Sequence, residues 1–136
     1  MDPSDEKPAL EDVAARHRVR LLLQFGSSIT GTMHGRSDVD LGVLIDGAPL
    51  SLREHARLAH ALQALFPQHE IDLAILNHAD PLFLKKVTES CRLLHGDPRD
   101  LQRLKIYAFK RYQDHRKYLE LERRFVARAL GSGPGR

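Results

Sequence analysis

Cysteine, net charge and long apolar runs are all scarce in this sequence, and each shortage excludes a class of protein. Cys91 is the only cysteine in 136 residues, which excludes an intramolecular disulfide and a zinc site built from several cysteines. Its neighbours Leu93 and Leu94 suggest a core thiol without a catalytic role. The longest apolar runs are only a few residues and no charged-then-apolar leader opens the chain, so we expect neither a membrane span nor secretion, and a cytoplasmic location.

The charge is small overall and unevenly distributed. A net charge of +3 is too low to indicate nucleic-acid binding. Residues 1–12 carry five acids against one lysine, whereas residues 99–128 carry ten Lys or Arg against four acids. The C-terminal part is therefore a basic segment, but we do not expect it to bind nucleic acid directly.

The order of apolar runs and turn residues predicts one α/β domain over residues 8–130, with its core in 19–96. Helical spacing predicts helices, and short apolar runs that end at turn residues predict strands. The expected elements are a helix over 8–18, strands over 19–25 and 38–45, a helix capped by Ser51 and ending at Phe66, a strand over 70–76, a helix over 81–90, a strand over 91–95 and a helix over 98–130. The tails, 1–7 and 131–136, are expected to be flexible.

The last helix is longer than the domain that it belongs to. About 31 residues span ~46 Å, while a chain of this length packs into a sphere only ~37 Å across. Part of the helix should therefore project. Its apolar positions recur at three- and four-residue steps, which fits either packing along its own domain or a surface for a partner or a second copy: Leu101, Leu104, Ala108, Tyr112, His115, Leu119 and Val126.

A glycine-serine pair and two aspartates flank the first turn of the predicted sheet. Gly26 and Ser27 follow the first strand, and after ten residues Asp38 and Asp40 open the second. Glycine lets a phosphate approach the backbone, and the hydroxyl and amides beside it favour anionic oxygen. Aspartates two apart on a strand leave the same face, and such paired carboxylates suit Mg²⁺, which also binds phosphate oxygens. Two such ions can assist an in-line nucleotidyl or phosphoryl transfer.

Asp72 is a third candidate for the same site. It lies in the middle of the third predicted strand between Ile71 and Leu73, where an unpaired ionised carboxylate would be costly. If this strand pairs beside the second, Asp72 approaches the same cations and is placed to deprotonate an acceptor hydroxyl. Glu70 projects to the same side, nearer the strand end.

These residues resemble the DNA polymerase β-like nucleotidyltransferase superfamily, in particular its minimal nucleotidyltransferase (MNT) branch. The resemblance covers about residues 19–76 and includes Leu93–Pro98, "LLHGDP". It implies a small mixed sheet flanked by helices, with a long C-terminal helix. It also implies that Asp38, Asp40 and Asp72 are catalytic and hold Mg²⁺, and that the triphosphate of ATP is bound by Gly26, Ser27, Ser28, His34, Arg36 and Ser37.

Short members of this branch look like antitoxins that transfer AMP to a tyrosine of a HEPN ribonuclease toxin. By that resemblance, the partner is a HEPN-type toxin bound through the C-terminal helix and the active-site face, with a homo- or hetero-oligomer also open. Many relatives carry arginines in the ten-residue spacer, whereas this chain has Thr30 and His34 there. Two other functions therefore stay open: a non-catalytic antitoxin that acts by binding alone, and a nucleotidyltransferase for small molecules such as aminoglycosides.

Overall fold

The computed structural model describes residues 7–26 and 38–130, which form four strands and four helices. In chain order these are α1 (Lys7–Arg16), β1 (Val19–Phe25), β2 (Asp38–Ile45), α2 (Leu52–Leu65), β3 (Glu70–Ile75), α3 (Pro81–Glu89), β4 (Cys91–His95) and α4 (Pro98–Ala129). The bounds of β1, β2 and β4 agree with the sequence prediction, and the other elements differ by one or two residues. Lys7, expected in the flexible tail, begins α1.

The strands form one mixed sheet in the order β3-β2-β1-β4. β1 is antiparallel to both β2 and β4, and β2 is parallel to β3. The end of β1 therefore lies beside the starts of β2 and β3. We call this side of the sheet the carboxylate end, because Asp38, Asp40 and Asp72 lie there.

Helices cover both faces of the sheet, because apolar residues of the central strands β1 and β2 point to both sides. On one face, α1 and α2 pack against alternate residues of β2, among them Val39, Leu41 and Val43. On the other face, α3 and α4 pack against Leu21 and Leu23 of β1. Asp38 and Asp40, at the start of β2, alternate with Val39 and therefore lie on the face that α3 and α4 cover farther along the sheet.

Side chains fix where these elements begin and how β2 meets β3. Ser51 and Glu54 form a reciprocal capping box at the start of α2, as the sequence predicts. The Asn77 amide donates to the Ile45 carbonyl (2.8 Å), and its oxygen accepts from the Ile45 amide (2.9 Å). These two hydrogen bonds join the far end of β2 to the turn that follows β3.

The long helix α4 outruns the core, as its length predicts. Leu101, Leu104 and Ala108 are buried, Tyr112 and His115 are half-buried, and every residue over 116–130 is exposed. The apolar stripe thus continues into solvent. Within the described part of the chain, none of the helices combines the length and the apolar character needed to cross a membrane.

Candidate active site

Three aspartates share one face of the sheet at its carboxylate end. In the parallel ladder Asp40 lies opposite Asp72, and in the antiparallel ladder it lies opposite Phe25. Asp38 precedes Asp40 by two residues, so its side chain leaves the same face. The prediction that β3 pairs beside β2 is confirmed, and Asp40 is the central member of the three.

Gly26 closes over the Asp40 carboxylate. Its φ is +83°, in the left-handed region that favours glycine. A Cβ at this position would overlap Asp40 Oδ2 and would lie 3.2 Å from Asp40 Cγ. Gly26 is therefore required twice, once by its backbone conformation and once by the nearness of the carboxylate.

The Asp40 carboxyl is the electrostatically strained member of the set. Partial burial raises its pKa above the ordinary value, and the negative charges of Asp72 and then Asp38 raise it further. Each of these causes disfavours the ionised carboxylate. A cation bound between the aspartates would relieve the repulsion, so the electrostatics of the apoprotein favour cation binding.

Exposure differs among the carboxylates. Asp40 is half-buried, whereas Asp38 and Asp72 are exposed. The sequence argument that Asp72 sits at a costly interior position is wrong, because β3 is an edge strand and its middle is open to solvent. Glu70, opposite Asp38 in the ladder, is exposed as well. The Asp72 carboxylate is thus accessible to a large substrate.

The donor set suits Mg²⁺, although its side chains are not arranged as ligands. Among residues 7–26 and 38–130, no three histidine, cysteine, aspartate or glutamate side chains stand close enough together to hold an ion as they are. Three hard carboxylate oxygens on one sheet face are the chemistry that Mg²⁺ prefers. The register of β2 and β3 already places these aspartates at neighbouring positions.

Most of the predicted nucleotide-binding residues lie outside the described part of the chain. These are Ser27, Ser28, His34, Arg36 and Ser37, and Thr30 lies there too. Their roles remain predictions. Gly26 is the described member of the set, and its backbone lies directly against the Asp40 carboxylate.

An aromatic pair borders the site and was not predicted. The rings of Phe25 and Phe83 meet edge to face with centroids 5.8 Å apart. Phe25 is the ladder partner of Asp40, and Phe83, from the first turn of α3, keeps 38% of its surface exposed. Phe25 is next to Gly26 in sequence, which was a signal for its place at the site; nothing local signals Phe83, because it arrives through the packing of α3.

A mixed sheet with a glycine turn and aspartates at adjoining strand starts is an arrangement that suits cation-assisted phosphoryl or nucleotidyl transfer. The family model "Polymerase beta, Nucleotidyltransferase" matches residues 9–100. The chain belongs to this polymerase β nucleotidyltransferase family, which confirms the fold and the superfamily resemblance.

Solved structures agree with this fold. A chain of a toxin–antitoxin complex with AMP-PNP superposes with a TM-score of 0.70 at 23% identity, covering 91% of this chain and 97% of the other. A chain of the complex between tri-AMPylated Shewanella oneidensis HEPN toxin and MNT antitoxin gives 0.67 at 20% identity, covering 95% and 98%. The spectinomycin adenyltransferase AAD(9) of Enterococcus faecialis gives 0.55 at 13% identity, covering 74% and 58%. A sequence search of curated proteins found no match.

Proposed function

We propose that this chain is an antitoxin that transfers AMP from ATP to a hydroxyl of a HEPN-type toxin, most readily a tyrosine, and so neutralises it in the cytoplasm. The observation that carries the proposal is the register of Asp40 with Asp72 beside Gly26 on one sheet face. The neighbours with AMP-PNP and with an AMPylated HEPN toxin share this fold over nearly their whole lengths, which supports the same acceptor class.

Each carboxylate has a part in the proposed reaction. Asp72, exposed on the edge strand, accepts the proton of the acceptor hydroxyl. The hydroxyl oxygen then forms a bond to the α-phosphorus of ATP, and the bond from that phosphorus to the bridging oxygen of the β-phosphate breaks. Pyrophosphate leaves, and the acceptor carries AMP through a phosphodiester. Gly26 has no side chain that would displace the Asp40 carboxylate from this position.

Mg²⁺ is the cofactor that this donor set fits. Asp38, Asp40 and Asp72 would hold it, as one or two ions. When bound, it supplies positive charge to the α-phosphate and to the leaving pyrophosphate. The remaining catalytic contribution of the chain is to keep the three strand positions in register.

The test is mass spectrometry of the HEPN-type protein encoded beside this chain, incubated with the purified chain, ATP and Mg²⁺. We expect that protein to gain adenylyl groups of about 329 daltons each, AMP less water, and to gain none with Asp38→Asn plus Asp40→Asn. An unchanged mass with every divalent cation tried, or the absence of such a neighbouring gene, would contradict the proposal.

A non-catalytic antitoxin is the second candidate, and one observation favours it. The end of α4 is exposed throughout residues 116–130 and carries apolar side chains, which suits a protein that acts by occupying its partner. In that case the double aspartate variant would still neutralise the partner at equal stoichiometry, and dilution would restore the toxin's activity. Adenylylation lost together with neutralisation would exclude this candidate.

A further inference from the structure

α4 runs toward the carboxylate end of the sheet. Near its start, Asp100 forms an ion pair with Arg20 at the beginning of β1, in which Arg20 Nε lies 3.0 Å from Asp100 Oδ2. Farther along, the Tyr112 ring lies 4.8 Å from Lys85 Nζ on α3, the helix whose Phe83 meets Phe25 at the end of β1. Twelve helical residues rise ~18 Å, and five strand residues rise ~17 Å. The helix therefore reaches the level of the carboxylates near Tyr112.

The part of α4 beyond that level is amphipathic and exposed. We call residues 116–130 the arm; Tyr112 to Ala129 adds ~26 Å of helix past the carboxylate end. The predicted core stripe continues along it through Leu119, 41% exposed, and Val126, 44% exposed. A second stripe, absent from the sequence prediction, lies beside it at steps of three and four: Tyr118, Leu121 and Phe125, which are 60%, 62% and 69% exposed.

The arm is also positively charged. It contains five arginines and lysines and two glutamates, a net charge of +3. Two of these cations flank the second apolar stripe. Lys117 directly precedes Tyr118, and Arg128 follows Phe125 by three residues. Two copies of this chain that paired through their arms would bring like charges together, so the charge favours an acidic surface over a second copy.

We propose that the arm docks the acceptor protein, by inserting Tyr118, Leu121 and Phe125 into an apolar groove with acidic sides, and so holds the acceptor over the carboxylate end. This rests on the proposed function for the identity of the acceptor. Helix-in-groove recognition uses anchors at this spacing. Because the arm leaves the domain at the level of the aspartates, a protein bound along it lies at the carboxylate end of the sheet.

The test compares two variants of the full chain for binding to the neighbouring HEPN-type protein, without nucleotide, by isothermal titration calorimetry. Leu121→Ser plus Phe125→Ser removes two anchors without changing the charge, and we expect affinity to fall about tenfold or more. Ala127→Ser, on the charged face of the same helix, is the matched control and should bind as the unaltered chain does. Circular dichroism checks the fold of each, and Tyr118→Ser is a second, smaller truncation.

Charge is tested separately with Lys117→Gln plus Arg128→Gln. The affinity of the unaltered chain should fall as salt is raised, and this variant should bind more weakly at low salt with a smaller salt dependence. Equal affinity of the Leu121 and Phe125 variant and the Ala127 control would overturn the proposal. The proposal would also be overturned if the free chain were a dimer that this variant dissociates. It would be overturned as well if this variant lost binding to vesicles of phosphatidylcholine and phosphatidylglycerol but still bound the HEPN-type protein normally.

Transfer kinetics keep this proposal distinct from the proposed function. If the arm only docks, the Leu121 and Phe125 variant raises the KM for the acceptor and leaves kcat nearly unchanged at saturation. Asp38→Asn plus Asp40→Asn should bind the acceptor normally and transfer nothing. If binding depends on the arm but no AMP is transferred, the proposed adenylylation alone is refuted. If AMP is transferred with the same kinetics by the arm variants and the unaltered chain, the proposed docking alone is refuted.

Discussion

Replacing Gly26 by alanine should damage the site by a route that the structure specifies. The left-handed φ of +83° costs an alanine about 1–2 kcal/mol. The new Cβ would also overlap Asp40 Oδ2, and turning that carboxylate out of a favourable rotamer costs about 0.5–1.5 kcal/mol. We therefore expect the free energy of unfolding to fall by about 1.5–3.5 kcal/mol in total.

Gly47→Ala is the matched control. Gly47 has a similar φ, +79°, and its added Cβ would meet only the end of the flexible Arg18 side chain, at 3.2 Å. It should lose only the conformational part, about 1–2 kcal/mol. Urea unfolding curves measure both, with unchanged slopes showing that the midpoints report stability. Placing Gly26→Ala in an Asp40→Ala background removes the overlapping oxygen, so its cost should fall to that of Gly47→Ala.

Activity should separate the two glycines more sharply than stability does. A displacement of about 1 Å in a catalytic group costs roughly a hundredfold in rate, so Gly26→Ala should lower kcat for adenylyl transfer by about that factor, and Gly47→Ala should leave it unchanged. Equal stability losses at the two glycines, with no dependence on Asp40, would refute the contact between Gly26 and that carboxylate.

Three further predictions concern the scaffold. Ser51→Ala removes the hydroxyl that accepts from the Glu54 amide in the α2 capping box, and it should lower the free energy of chemical unfolding by about 1 kcal/mol. Ser51→Asp, another good N-cap, should restore most of that loss. Asn77→Ala leaves both backbone groups of Ile45 without their partner, at a cost of about 1–3 kcal/mol, while exposed His78→Ala should be nearly neutral. Burial, and then the charges of Arg16 and Arg57, lower the pKa of His17 in the folded chain. As pH drops through about 6.5, the His17 imidazole is therefore protonated in the unfolded chain before it is protonated in the folded one, and the free energy of unfolding should fall. The fall should be smaller in His17→Gln.

The sequence predicts the strands well because their signals are local. β1, β2 and β4 are short apolar runs that end at turn residues, and Ser51 with Glu54 marks a helix start by spacing alone. The pairing of β2 with β3, which the sequence argument assumed, is confirmed, although the expected interior position of Asp72 is wrong. The local pattern alone places Asp38 and Asp40 on one face, whereas the strand order of the sheet brings Asp72 beside them.

Features that depend on neighbours in space were missed or wrong. The exposure of Asp72 follows from β3 lying at the sheet edge, which the strand sequence alone does not indicate. Phe83 reaches the site only because α3 packs against β1. The second stripe of the arm is not evident from the sequence. Its residues can be identified as exposed only once the helix face that buries Leu101 and Leu104 is known.

The exposure of Asp72 fits the proposed acceptor better than the buried position that was expected. A small hydroxyl compound can enter a closed pocket, whereas a tyrosine of a folded protein arrives with its backbone and neighbouring side chains attached. A base for such an acceptor must stand where a second protein surface can reach it, and an edge strand provides that position. Asp40, half-buried between Gly26 and Asp72, is then left to the cation and the phosphates. The register of the parallel ladder joins the two roles, since the exposed carboxylate and the half-buried one are direct neighbours across it.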